Sequence, residues 1–141
     1  MDYNQKFEPI GNKVIHGAGQ SPTTFKNYSS ALYKSKPILY MMYIRINEIS
    51  LNFSKKLKEM QNISKELIPQ IGLNLKTREK GSQCREIFER KYDKELTSLC
   101  KKIKNLRNPT FLRIGYEFNN PSHNYNAKDY IRAFRYIVNS F

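Results

Sequence analysis

The chain has 141 residues, 25 Lys plus Arg against 12 Asp plus Glu, and a net charge of +13. That length suits one domain, and apolar and charged shares of 39% and 26% exclude disordered and fibrous classes. No apolar run reaches the roughly 20 residues of a membrane-spanning helix, and Met1 to Ile10 has no apolar core, so no signal peptide is read and a cytoplasmic location is the default expectation.

Four short apolar runs follow in chain order, each with a helical pattern behind it. The first, Lys13 to His16, leads into Gly17-Ala18-Gly19; Ser21 then offers an N-cap and Pro22 a first helical position. Phe25, Tyr28 and Leu32 share a face of the helix that follows. The second run is Pro37 to Ile44, after which Phe53, Leu57 and Met60 recur at helical spacing. The third is Leu67 to Asn74, followed by a charged loop through Gly81 and a helix marked by Leu96, Leu99, Cys100 and Ile103. The fourth is Thr110 to Phe118. Its helix carries Tyr130, Ala133, Phe134, Ile137, Val138 and Phe141 at i, i+3, i+4, i+7, i+8 and i+11. Residues 1–12 form an N-terminal extension, and residues 13–141 form the domain.

Four alternations of strand and helix imply an α/β fold of parallel strands with right-handed crossovers. Alternation within the strands sorts the architecture further. Ile71 and Leu73 oppose Gln70, Gly72 and Asn74, and Ile15 opposes Val14 and His16. Leu112, Ile114 and Tyr116 oppose Arg113, Gly115 and Glu117. A doubly wound sheet would be apolar on both faces. One apolar face, with the other turning polar toward the carboxyl ends, is the pattern of a (β/α) barrel. Four βα units make half of the usual eight, so the expected fold is half of a TIM barrel.

Other chemistries find little support. GAGQS after the first run lacks both the GxGxxG spacing and a phosphate-loop lysine. Cys84 and Cys100 stand 16 apart, and the histidines are His16 and His123, too sparse for a Cys/His zinc site. Cys100, on an apolar stripe, reads as a buried thiol. Between residues 55 and 107 there are 15 basic and 7 acidic side chains, but signs interspersed at helical spacing describe a solvated face. No nucleic-acid module is recognisable, so specific nucleic-acid binding is not expected, and a basic nucleic-acid-associated protein is kept as a last alternative. The N-x-S triplets at Asn27, Asn52 and Asn62 are chance in an Asn-rich chain.

The segments VIHGAGQSP, KPILYMMYI, LIPQIGLNL and NPTFLRIGYEFNN, followed by YIRAFRYIV, resemble (β/α)8-barrel glycoside hydrolases. The group is the mannanase-like and endoglycanase-like clan with catalytic glutamates on strands four and seven. The resemblance runs from about Lys13 to Phe141 and spans the first half of such a barrel. It implies hydrolysis of O-glycosyl bonds in a β-linked polysaccharide, a mannan or a β-glucan, without metal or cofactor. Glu117 corresponds to the general acid/base, a carboxyl kept protonated at the barrel mouth to protonate the leaving oxygen. Arg113 would support it. His16, Tyr43, Asn74, Tyr116 and His123 would line the substrate site. Residue 116 is Tyr where many clan members carry Asn or His. Relatives in the clan are often secreted.

The strand-seven nucleophile has no counterpart in this chain, so the resemblance implies a truncated protein, inactive alone. Gene fragment, split enzyme and self-pairing half barrel all fit. A complementary half barrel or a second copy would be the partner. The alternative is a non-catalytic half barrel that binds a glycan or pairs with a partner.

Overall fold

A computed structural model describes residues 14–19, 21–106 and 108–141. The predicted N-terminal extension and Lys13 lie outside the described residues. Four parallel strands form the sheet: β1 (Gly17–Gly19), β2 (Leu39–Arg45), β3 (Ile68–Asn74) and β6 (Phe111–Ile114), in the order β1-β2-β3-β6. The order in space follows the order in the chain. Each new strand is added on the same side of the last one, so right-handed crossovers bring the connecting helices to one face.

The helices are α1 (Pro22–Ala31), α2 (Ser54–Gln61), α3 (Cys84–Phe88), α4 (Asp93–Lys104) and α5 (Ala127–Asn139). Ser21 caps α1 as expected, its hydroxyl accepting from the Thr24 N–H, with Pro22 in the first turn. Asn126 caps α5 in the same way through the N–H groups of Lys128 and Asp129. A 3-10 turn (Ile46–Glu48) and a π-helical turn (Ile49–Phe53) lead from β2 into α2. The charged loop expected after β3 is instead structured. It begins with a small antiparallel hairpin, β4 (Lys76–Thr77) with β5 (Gly81–Ser82), and continues into α3.

The core lies between the sheet and the helices. Tyr40, Met42 and Ile44 of β2 and Ile71 and Leu73 of β3 meet Phe25, Phe53, Leu57, Met60, Leu96, Leu99, Ala133 and Ile137 there. The Phe25 and Tyr40 rings pack 5.2 Å apart, tying α1 to that face. Arg132 of α5 lies over the Phe88 ring of α3 at 3.7 Å. The Tyr136 hydroxyl donates to Asp93, linking α5 to the start of α4, and that bond holds the Asp93 carboxyl below its usual range. Cys100 is buried as expected, its thiol donating to the Ser140 carbonyl at 3.3 Å.

The opposite face of the sheet carries Leu39, Met41, Tyr43 and Arg45 of β2, Gln70 and Asn74 of β3, and Phe111 and Arg113 of β6. These range from half-buried to exposed. Among the described residues both edge strands, β1 and β6, have one side without a neighbour in the sheet.

Two expectations for the strands need correction. The first run ends where the strand begins: β1 is Gly17–Gly19, and His16 precedes it. The fourth strand stops at Ile114, because Gly115 takes a φ of +59° and turns the chain. The strict alternation expected through Glu117 ends there. A side chain at Gly115 would also meet Tyr130, whose Cε2 would lie 2.6 Å from the added Cβ.

Candidate functional site

At the carboxyl end of the sheet, the parallel register sets Tyr43 beside Gly72 and Arg45 beside Asn74. Gly72 has no side chain on the open face, so the Tyr43 and Tyr116 rings meet above it with centroids 4.9 Å apart. A Cβ at Gly72 would lie 2.6 Å from Tyr43 Cδ1 and 3.2 Å from Tyr116 Cδ1. Tyr116 reaches this position through the turn at Gly115, which carries it away from the helix-covered side where unbroken alternation would put it.

Asn74 organises the cluster. Its Nδ2 donates to the Tyr116 hydroxyl at 3.2 Å, and its Oδ1 accepts from the Lys76 N–H at 2.9 Å and from the Tyr125 hydroxyl at 3.2 Å. The Lys76 N–H can only donate, which fixes the orientation of the amide. The Leu75 N–H donates to the Tyr125 hydroxyl at 3.2 Å. Burial pushes the Tyr125 phenol far above the usual tyrosine range, against the opposing pull of that N–H, so it remains a neutral donor. His123 packs its ring against both Tyr116, at 5.8 Å, and Tyr125, at 5.6 Å.

Beside this cluster opens a cleft of about 420 Å³ whose walls include Tyr43, Arg45, Asn74 and Tyr116. The π-helical turn and α2 contribute Asn52, Lys55, Lys56 and Glu59, and the β4–β5 hairpin contributes Arg78. Glu48 stands between two guanidinium groups: its Oε1 is 3.4 Å from Arg45 and 3.9 Å from Arg78. Four cations thus face two carboxylates around the cleft.

Of the residues expected at the site, Tyr43, Asn74, Tyr116 and His123 come together. Arg113 lies on the same open face, with its guanidinium carbon 5.7 Å from the centre of the Tyr116 ring and its Nη1 3.9 Å from Met41 Sδ. It forms no ion pair with Glu117. Glu117 follows the turn with φ +53°, and its side chain is 59% exposed. Its Oε2 accepts from Asn120 Nδ2 at 3.3 Å and stands 3.5 Å from His123 Nε2, outside the walls of the cleft. His16 belongs elsewhere. Its carbonyl accepts from the N–H groups of Ile38 and Leu39 at the amino end of β2, and its ring packs edge-on to Tyr28 at 6.1 Å. It therefore sits at the opposite end of the sheet from the site, because β1 begins after it.

Sequence reasoning missed the cationic wall and Tyr125. Arg45 was within reach of it: the alternation of β2 continues one residue past Ile44, and a charge at that step belongs on the open face. Tyr125 and Arg78 lie in connecting segments where no periodicity points to them.

The arrangement can grip a polar ligand against tyrosine rings and cations. Among the described residues no group of three or more His, Cys, Asp or Glu side chains converges in a way that could hold a metal ion. Neither a protein-family model nor a curated protein matches the chain.

Proposed function

We propose that the chain is half of a (β/α)8 glycosidase barrel, completed by a second half barrel that another copy of the chain can supply, and that it acts on a β-linked polysaccharide such as a mannan or a β-glucan. The single observation that carries this reading is the sheet itself. Four parallel strands stand in chain order with helices on one face. The other face is open and turns polar toward the carboxyl ends of its strands, where Tyr43, Asn74 and Tyr116 gather. In barrels, catalytic groups sit at those ends. Eight strands close a barrel whose interior side chains can fill, and two four-stranded sheets joined β6 to β1 supply that number.

In this reading Glu117, at the mouth, is the general acid that protonates the leaving glycosidic oxygen, with His123 and Asn120 holding its carboxyl. A retaining mechanism places its second carboxylate about 5 Å away. The resemblance assigns that group to strand seven, which a second copy of the chain does not carry, so in a homodimer the second copy's Glu117 takes that place. The monomer is therefore inactive. Tyr43 and Tyr116 offer ring surface to a sugar, and Arg113 braces Tyr116 from below.

The test sorts the purified chain by mass with light scattering at moderate salt, which screens repulsion between copies of charge +13. The same fractions are assayed for reducing ends released from β-mannan and β-glucan. Hydrolysis confined to the dimer and lost in Glu117→Gln is the expected result. Hydrolysis that survives Glu117→Gln overturns the role of Glu117. A well-folded chain inactive in every state overturns the enzyme and leaves the second reading, a non-catalytic glycan-binding or partner-pairing half barrel. The exposure of Glu117 outside the cleft favours that second reading.

A further inference from the structure

The cleft walls carry a charge that a neutral mannan or glucan does not call for. Arg45, Lys55, Lys56 and Arg78 face Glu48 and Glu59 across it. Glu48 is already matched by Arg45 and Arg78. Among the described residues neither Lys55 nor Lys56 forms an ion pair. Glu48 and Glu59 offset two of the four cations, so the cleft keeps a net charge of +2, with both ammonium groups on the rim of a concave site beside two tyrosine rings. The volume, about 420 Å³, falls in the range of small-molecule sites and is far larger than one inorganic anion needs. We infer that this cleft binds an acidic saccharide, a short run of sugars carrying carboxylate groups, with the rings of Tyr43 and Tyr116 against the sugar and Lys55 and Lys56 on the carboxylates. A charge-assisted hydrogen bond is roughly twice as strong as a neutral one, and that gain goes when either partner loses its charge. The inference deepens the saccharide reading above and rests on it for the sugar. It does not involve Glu117.

The experiment is calorimetric titration of the full chain at about physiological salt, where surface attraction over more than roughly 8 Å is screened. The probes are β-linked tetramannuronate, its neutral counterpart mannotetraose, inorganic phosphate and a short single-stranded DNA. Tetramannuronate is expected to bind at least about ten-fold more tightly than mannotetraose, and the double variant Lys55→Gln/Lys56→Gln to lose about ten-fold, the factor that 1.4 kcal/mol supplies. The melting temperature of the variant reports that the fold is kept, and Arg78→Gln, at a side chain 72% exposed, is the second variant should the first fail to fold. Equal binding of the neutral and acidic sugars overturns the inference. So does phosphate binding as tightly as tetramannuronate, which would make the site one for a bare anion. DNA binding more tightly than either sugar, unchanged in both variants, would locate the attraction in the overall charge and overturn it too. The titration reads binding alone, so a chain without hydrolytic activity in any state can still pass or fail it.

Discussion

On the helix-covered side of the sheet, Tyr40, Met42 and Ile44 are each 2% exposed and Ile71 and Leu73 are fully buried. One pleat away, on the open side, Met41, Tyr43, Arg45, Gln70 and Asn74 remain half-buried and Arg113 is exposed. Consecutive residues of a strand point to opposite faces, so the two sets share a backbone and almost nothing else. Burial of apolar area on the first set holds the fold together. The second set carries the tyrosines, the amide and the cations of the cleft. Stability and binding therefore rest on alternate residues and can be perturbed separately.

The largest effect belongs to the covered side. Ile71→Ala removes a fully buried side chain at the centre of the sheet and is expected to cost about 2–5 kcal/mol in urea unfolding, as large-to-small core substitutions do. Met41→Ala, on the other face of the neighbouring strand, is expected to cost the unpaired monomer less than about 1.5 kcal/mol, nearer to the range of surface changes. A Met41→Ala cost equal to that of Ile71→Ala would break the comparison. It would mean that another layer covers the open face in solution, as pairing of two half barrels requires.

The covered side was also the more legible one. The alternation of Ile71 and Leu73 against Gln70 and Asn74 survives into β3, and the Ser21-Pro22 signal starts α1 where expected. Periodicity found the face of α5 but not its neighbours: Ala133 and Ile137 are buried, while Phe134, Val138 and Phe141 are 40%, 49% and 43% exposed along the free edge of β6. The first strand escaped because Gly-Ala-Gly has no strand propensity of its own. It pairs because Leu39, Tyr40 and Met41 lie alongside. That miss moved His16 to the wrong end of the sheet. The cleft was legible only in its Tyr43, Asn74 and Tyr116 wall. Its cationic wall, apart from Arg45 at the end of β2, comes from α2 and a hairpin, where tertiary placement rather than sequence period decides what faces what.

Gly115 is where the two faces exchange residues. Its positive φ ends the strand and sends Tyr116 to the open side. Gly115→Ala meets a left-handed backbone and the Tyr130 ring together, and about 2–3 kcal/mol of destabilisation is expected from strain of that kind. Denaturant unfolding measures it. A neutral Gly115→Ala would show that the turn relaxes easily, and the placement of Tyr116 would then no longer be fixed by the backbone.

Tyr125 joins the two regions, taking the Leu75 N–H and giving its own proton to Asn74. Tyr125→Phe leaves a buried N–H unpaired and is expected to cost about 1–3 kcal/mol. The phenol also sets a pH dependence. Its folded pKa is raised by burial. Its contribution is thus complete below the ordinary tyrosine value of about 10 and is lost as pH rises toward the folded value. Thermal unfolding midpoints should fall above about pH 10, and less steeply in Tyr125→Phe. An unchanged slope would show that other groups govern the alkaline limb.

The smallest effect falls on Glu117, one residue beyond Tyr116 and its opposite in environment. Tyr116 is held by Asn74 and packed on Tyr43 and His123, whereas the Glu117 side chain is 59% exposed. Gln at this position keeps the size and can still accept from Asn120, so Glu117→Gln is expected to change the unfolding free energy of the monomer by less than about 0.5 kcal/mol. The same substitution separates the two fates of the open face. If a second half barrel closes over it, Glu117 loses its water, and a charge moved out of water is costly unless it is paired or protonated. Glu117→Gln would then tighten dimer association while abolishing hydrolysis, a pairing of gain and loss that sedimentation equilibrium and the hydrolysis assay read on one sample. If the face stays open, association is indifferent to the substitution, and Glu117 remains what its surroundings in the monomer make it, a solvated carboxylate at the end of a turn.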